Sequence, residues 1–186
     1  QFANLGKLAD HMLVHENSIV RIDGDIPLDR AALVGCGVLT GVGTALRTAR
    51  VEPGQTVAVL GCGGVGLSIV QGARIAGASR IIAVDMFDSK LEMATAMGAT
   101  HAVNSGSEGG EDAVAAIREA AGGSGVDHAF EAVGLPDLVR QAVESLAIGG
   151  TATVVGVLPP GSTIAFPWEA LRPECRVQTS RMGSNR

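Results

Sequence analysis

The sequence predicts an α/β domain built on a doubly wound, six-stranded parallel sheet. Three observations carry that prediction. From Thr56 onward, short apolar runs alternate with helical stretches, the rhythm of right-handed βαβ crossovers. Gly77, Gly98, Gly122 and Gly149 each follow such a stretch where a C-terminal glycine belongs. The chain is 46% apolar with 26 glycines, four Phe, one Trp and no Tyr, the balance of small β-branched strands covered on both faces.

Residues 1–55 lack this rhythm. KLADHMLVHE (7–16) reads as a strand with mixed faces, DIPLDRAALV (25–34) as a short helix opened by Pro27, and VLTGVGTALRTARV (38–51) as a second helix. Pro53-Gly54 then turns the chain into the strand TVAVLG (56–61). There follow the helix VGLSIVQGARIAG (65–77), the strand RIIAVD (80–85), the helix SKLEMATAMG (89–98) and the strand HAVN (101–104). A polar loop, SGSEGGE (105–111), precedes the helix EDAVAAIREAAGG (111–123). The series closes with the strand VDHAFEAVG (126–134), the helix PDLVRQAVESLAIGG (136–150), the strand TATVVGV (151–157) and a sixth strand in VQTSRM (177–182).

The net charge of −5 is spread without a basic stripe, which argues against nucleic acid and membrane surfaces as partners. The longest apolar run, Val57 to Val70, is broken by glycines and falls short of the ~20 residues that span a bilayer. Cys36, Cys62 and Cys175 are odd in number and far apart, so a disulfide framework is not expected and a reducing cytoplasm is. The chain opens on Gln1 rather than Met and is read as a fragment.

Two Gly-Cys-Gly tripeptides lie within thirty residues, and their surroundings separate them. Gly61, Gly63, Gly64, Val65 and Gly66 sit between a buried strand and an apolar helix, the context of a dinucleotide fingerprint. Gly61 makes the tight turn, Gly63 lets backbone approach a pyrophosphate, and Gly66 brings helix and strand together. Amides at the helix start bind the phosphates. Asp85, nineteen residues beyond Gly66 at the end of RIIAVD, is placed to accept ribose hydroxyls, and an acid there favours NAD because a 2′-phosphate would meet a like charge. The pattern predicts a Rossmann NAD-binding domain. Cys62 occupies a variable slot and is read as core filler. The other tripeptide, around Cys36, precedes a helix instead; a thiol at a helix N-terminus suits a metal ligand or a nucleophile, but taken alone such a cysteine is more commonly a small buried core thiol.

The run from Gly35 to Asp85, GCGVLTGVGTALRTARVEPGQTVAVLGCGGVGLSIVQGARIAGASRIIAVD, resembles the zinc-dependent medium-chain alcohol dehydrogenases, class III-like members included. The resemblance implies that Cys36 is one ligand of a catalytic zinc and that Thr40 packs on the nicotinamide. It implies further that Lys90 lies near the adenine ribose, Val133 and Val155 line the nicotinamide end, and Ser180 and Met182 are last-strand contacts. The family's other zinc ligands, proton relay and four-cysteine cluster have no counterpart in this sequence. His11 and His15 do not replace them, because on a strand four residues span ~13 Å whereas zinc holds ligands at ~2 Å. They are read as surface histidines, and His101 and His128 as structural.

The resemblance therefore implies a remnant of the catalytic domain with a linker over 1–35 and the dinucleotide-binding domain over 36–186. The intact parent would pass hydride from an alcohol, a thiol-formaldehyde adduct among the candidates, to NAD. The fragment itself is expected to contain no catalytic residue, to hold no zinc and to be inactive, and to form a homodimer through its last strand. Rival readings are a zinc-free NAD(P)H quinone reductase, against which Cys36 and Asp85 argue; a methyltransferase, whose sheet typically ends in a reversed strand; and a non-catalytic NAD-binding module.

Overall fold

The computed structural model describes residues 11–106 and 112–184. The chain divides into two compact units, Gln1–Ala32 and Leu33–Arg186. In the first, a 3₁₀ turn spans Glu16–Ser18, capped by His15, whose Nδ1 accepts the Asn17 N–H at 3.2 Å. His11–His15 form no strand, contrary to the sequence reading, and both histidines are exposed. Leu13 is fully exposed, so this segment has no apolar face to bury. The rest of that predicted strand, 7–10, and most of the predicted polar loop, 107–111, lie outside the described residues.

The predicted helix pair is one continuous helix, Leu28–Thr48. It comprises α1 (Leu28–Leu33), a π turn over Val34–Val38, α2 (Leu39–Gly43) and a second π turn over Thr44–Thr48. Gly35 and Gly37 keep ordinary negative φ, so the first Gly-Cys-Gly does not break the helix. By length and composition this helix, rather than the run at 57–70, is long and apolar enough to cross a membrane. Its second half buries small residues instead: a methyl at Gly41 would press on the Ser68 side chain, and one at Gly72 on Ala45.

The second unit carries six parallel strands: β1 (Thr56–Leu60), β2 (Arg80–Asp85), β3 (His101–Asn104), β4 (Val126–Glu131), β5 (Leu146–Val154) and β6 (Arg176–Thr179). They lie in the order β3-β2-β1-β4-β5-β6. Between them run α3 (Gly64–Ile75), α4 (Asp88–Met97), α5 (Ala113–Ala120) and α6 (Pro136–Glu144). Alternation along β1 shows why both faces are apolar. Val57 and Val59 belong to the core under α3 and α4, while Ala58 and Leu60 belong to the core under α5 and α6. Phe130 is the largest fully buried side chain and contributes roughly 1.5–3 kcal/mol by burial.

Gly77, Gly98 and Gly122 follow α3, α4 and α5 with φ of +80°, +122° and +93°, as the sequence predicts. Gly149 does not end a helix. The helix α6 stops at Glu144, and Gly149, with φ +76°, lies within β5 where the pairing with β4 shifts register. A positive φ suits a strand irregularity as well as a helix end.

At the amino edge of the sheet Thr56 donates its N–H and hydroxyl to Asp127 Oδ2 at 2.7 and 2.8 Å. Beside it His128 is buried, and its Nε2 lies 2.9 Å from Gln55 Oε1. That oxygen already accepts the Glu52 N–H, so Nε2 is the donor. Burial pushes the His128 pKa below its ordinary 6.5. The unfolded chain therefore binds more protons once pH falls below about 6.5, and stability is lost as acid is added; above that pH the ring is neutral in both states. The denaturation midpoint should fall more steeply between pH 7.5 and 5.5 in the native sequence than in His128→Gln. Parallel slopes would contradict the assignment.

Candidate functional site

The sheet order reverses between β1 and β4, and ligands of such sheets bind outside the carboxyl ends of the strands at that crevice. The residues singled out from sequence gather at these ends. Gly61 follows β1, Asp85 closes β2, Val133 follows β4, Val155 follows β5 and Ser180 follows β6.

The turn after β1 is held from several sides. Gly61 has φ +95° and donates its N–H to the Val84 carbonyl at 2.8 Å. A side chain at Gly61 would strike Val133, and a methyl at Gly66 would run into the carbonyl of Gly61, so helix and strand touch backbone to backbone. Val65 is half-buried against the core. Gly63 caps α3 in an extended conformation, and among the described residues no side chain bonds the first amides of the helix. A methyl at Gly63 or Gly64 would meet nothing within 4 Å. The turn thus presents positive backbone dipoles to open space, which is what a pyrophosphate requires.

Asp85 is buried at the mouth of this turn. Its Oδ2 accepts the Cys62 N–H at 2.8 Å and its Oδ1 the Phe87 N–H at 3.1 Å. Each carboxylate oxygen keeps a second lone pair for a ligand hydroxyl. Lys90 Nζ stands 3.8 Å from Oδ2 and 5.0 Å from the Phe87 ring centroid. Cys62 is 1% exposed, and burial, with the Asp85 charge next, pushes its thiol up to about 12. It is an unreactive core thiol, as the sequence implies. Gly61, Asp85, Phe87, Lys90, Val133 and Leu138 help to line a cleft of about 320 Å³, within the size range of small-molecule sites. A second cleft, of about 380 Å³, lies between α5, α6 and the segment 167–170. Its charges answer one another: Arg140 bridges Glu144 at 2.8 Å, and Arg118 donates to the Glu144 carbonyl.

A separate group forms where β6 ends. Ser180 Oγ lies 2.8 Å from Thr44 Oγ1 and 2.9 Å from Thr48 Oγ1, and Thr48 in turn bonds Ser184. Thr40 donates to Met182 Sδ at 3.7 Å. Met182, Gly183 and Ser184 all have φ between +53° and +65°, a tight turn seated on the helix: a methyl at Gly183 would press on Gly43 and on the Leu39 and Thr40 carbonyls.

Cys36 departs from expectation. It lies inside a π turn in mid-helix rather than at a helix N-terminus, and it is exposed, so no N-terminal dipole acts on it. Among the described residues no three His, Cys, Asp or Glu side chains come together in a way that could hold a metal. The residues described do not by themselves make a zinc site. Two residues that sequence reasoning passed over stand out. Phe87 lies in the cleft wall. Glu131 is fully buried at the end of β4, and the available signal was an acid closing an apolar strand, the same signal that identified Asp85.

Known proteins share this fold. The chain is 41% identical over 167 residues to S-(hydroxymethyl)glutathione dehydrogenase of Saccharomyces cerevisiae, an alignment covering 88% of this chain and 43% of that protein. Its fold matches benzyl alcohol dehydrogenase from Acinetobacter calcoaceticus with a TM-score of 0.83 at 37% identity, over 89% of this chain and 45% of that one. It also matches a zinc-binding dehydrogenase from Sinorhizobium meliloti bound to NADP, with a TM-score of 0.70 at 33% identity, over 78% and 42% of the two chains. The chain thus spans under half the length of each. The family model of the zinc-binding dehydrogenases matches residues 64–186, from the first residue of α3 through the last strand. With well over half of its residues matched by that model, the chain belongs to the zinc-binding dehydrogenase family.

Proposed function

We propose that this chain is the nicotinamide-dinucleotide-binding half of an alcohol dehydrogenase, with NAD preferred to NADP. One observation carries the reading: the uncapped start of α3 at Gly63 and Gly64 opens beside the buried carboxylate of Asp85. The first amides of α3 would hold the pyrophosphate and Asp85 the adenosine ribose, with Lys90 at the rim. Thr40, Val133, Val155, Ser180 and Met182 would border the nicotinamide end. The dinucleotide, when bound, supplies a two-electron hydride acceptor or donor; the chain's own contribution is to bind it, orient it and exclude water from one side. The relatives' names support alcohols, thiol-formaldehyde adducts included, as the substrate class. Calorimetric titration with NADH and NADPH tests the proposal. Micromolar NADH binding with weaker NADPH binding is expected, and no binding of either would refute it.

The 186-residue chain alone is expected to show no turnover with benzyl alcohol or S-(hydroxymethyl)glutathione. A catalytic zinc needs three protein ligands and an open position, and Cys36 is the one family ligand that the sequence supplies. Elemental analysis should find well under one zinc per chain; a stoichiometric metal lost on Cys36→Ser would contradict this. The edge strand β6 exposes Val177 at 48%, and an unpaired edge is a template for a second copy. A homodimer is therefore proposed, with sedimentation at micromolar concentration as its check and a monomer as the refuting result. The three free cysteines suit a reducing compartment such as the cytoplasm.

A further inference from the structure

Glu131 is the last residue of β4, and no part of its side chain reaches solvent. Burying a carboxyl group is costly unless it is bonded, and here the bonding is one-sided. Oε1 accepts the N–H groups of Val133 at 2.9 Å and Gly134 at 2.6 Å, with a longer approach from Leu135 at 3.4 Å. Oε2 is buried with no partner among the described residues. A methyl placed on Gly156 would lie 2.6 Å from Oε2, so the chain after β5 runs directly past it. The main-chain carbonyl of Glu131 meanwhile accepts the Val155 N–H at 2.8 Å and the Gly156 N–H at 3.1 Å.

One residue therefore holds two loops. Its side chain gathers the amides of 133–135, which would otherwise lie unbonded, and its backbone fixes 155–156. The first loop carries Val133, which packs against Gly61 of the phosphate turn and is itself half exposed on the cleft side. The second carries Val155. An ordinary turn would join β4 to α6 without a buried acid, and a buried group with an unanswered oxygen calls for a reason.

We infer that Glu131 is a positioning residue, whose carboxyl group holds the 132–135 loop in the shape that receives the dinucleotide. The inference rests on the dinucleotide-binding reading above. It assigns no contact between Glu131 and the ligand. Loss of Glu131 therefore loosens the wall that Val133 shares with Gly61 and Asp85, while the hydrogen bonds that hold the Asp85 carboxylate stay in place.

The test compares NADH with ADP-ribose, which lacks the nicotinamide, by calorimetric titration into the whole chain and its E131A and E131Q variants. Removing the acceptor from buried amides costs on the order of 1–3 kcal/mol, so E131A should weaken NADH and ADP-ribose alike by about tenfold or more, since the loop lines the cleft beside Asp85. E131Q keeps an acceptor oxygen at the Oε1 position and should stay within about threefold of the native chain for both ligands. If E131A does not fold, E131D, which withdraws the carboxyl by one methylene, takes its place in the same comparison. Unchanged affinity for both ligands in folded E131A or E131D, or a loss in E131Q as large as in E131A, overturns the positioning role. A native chain that binds neither ligand overturns the dinucleotide reading itself, which separates the two failures.

Discussion

Gly66→Val is expected to abolish dinucleotide binding, with no heat of NADH binding at concentrations that saturate the native chain. Even a methyl at this position would run into the carbonyl of Gly61, and that carbonyl has nowhere to go. Gly61 is pinned by its N–H on the Val84 carbonyl and by Val133 against its open face. Either α3 moves off the strand or the turn opens. Overpacking of this kind costs about 1–3 kcal/mol in stability, and it displaces the amides that face the phosphates. The useful contrast is Gly63→Ala. Its backbone is extended, and a methyl there meets nothing within 4 Å, so the melting temperature should be unchanged while NADH binding weakens, because the methyl occupies space meant for the pyrophosphate. Wild-type affinity in either variant would show that the turn is not the phosphate site.

Asp85→Ser is expected to weaken NAD binding by roughly ten- to a hundredfold, since hydrogen bonds to a charged acceptor are worth ~1.5–3 kcal/mol. The same change should move the NADP-to-NAD affinity ratio toward NADP. In the native chain a 2′-phosphate would be set against a carboxylate that is only 8% exposed, and like charges at close range are unfavourable. Lys90 does not cancel this, because its side chain is 44% exposed and such pairs contribute ~0–1 kcal/mol. Asp85→Asn separates charge from shape: it retains an acceptor oxygen for the Cys62 or Phe87 amide but loses the negative charge. Equal affinity of the native chain for both cofactors, measured calorimetrically, would contradict the proposed preference.

The sequence misled where a residue type has two local uses. Gly35 and Gly37 looked like an interruption, yet the helix passes through them. Each glycine costs about 1 kcal/mol in a helix interior, a penalty outweighed once Gly41 and Gly72 let the second half pack closely on α3. Gly149 looked like a helix end and is a strand irregularity, because the same positive φ serves both. Cys36 lost its expected place at a helix start for the same reason as the first case: the start was not there.

What the sequence determined by itself was local and periodic. The two-residue alternation of the strands, the glycine spacing after β1 and the acid at the end of β2 depend on neighbours along the chain, so the sheet and the tight glycine turn were legible. What only the tertiary structure decided depends on residues brought together from far apart. Ser180 meets Thr44 across 136 positions, and the Glu131 carbonyl meets the chain after β5 only because those strands pair. Hydrogen bonds of that kind have no spacing rule, since the closure of the fold, and not the period of any one element, sets their partners.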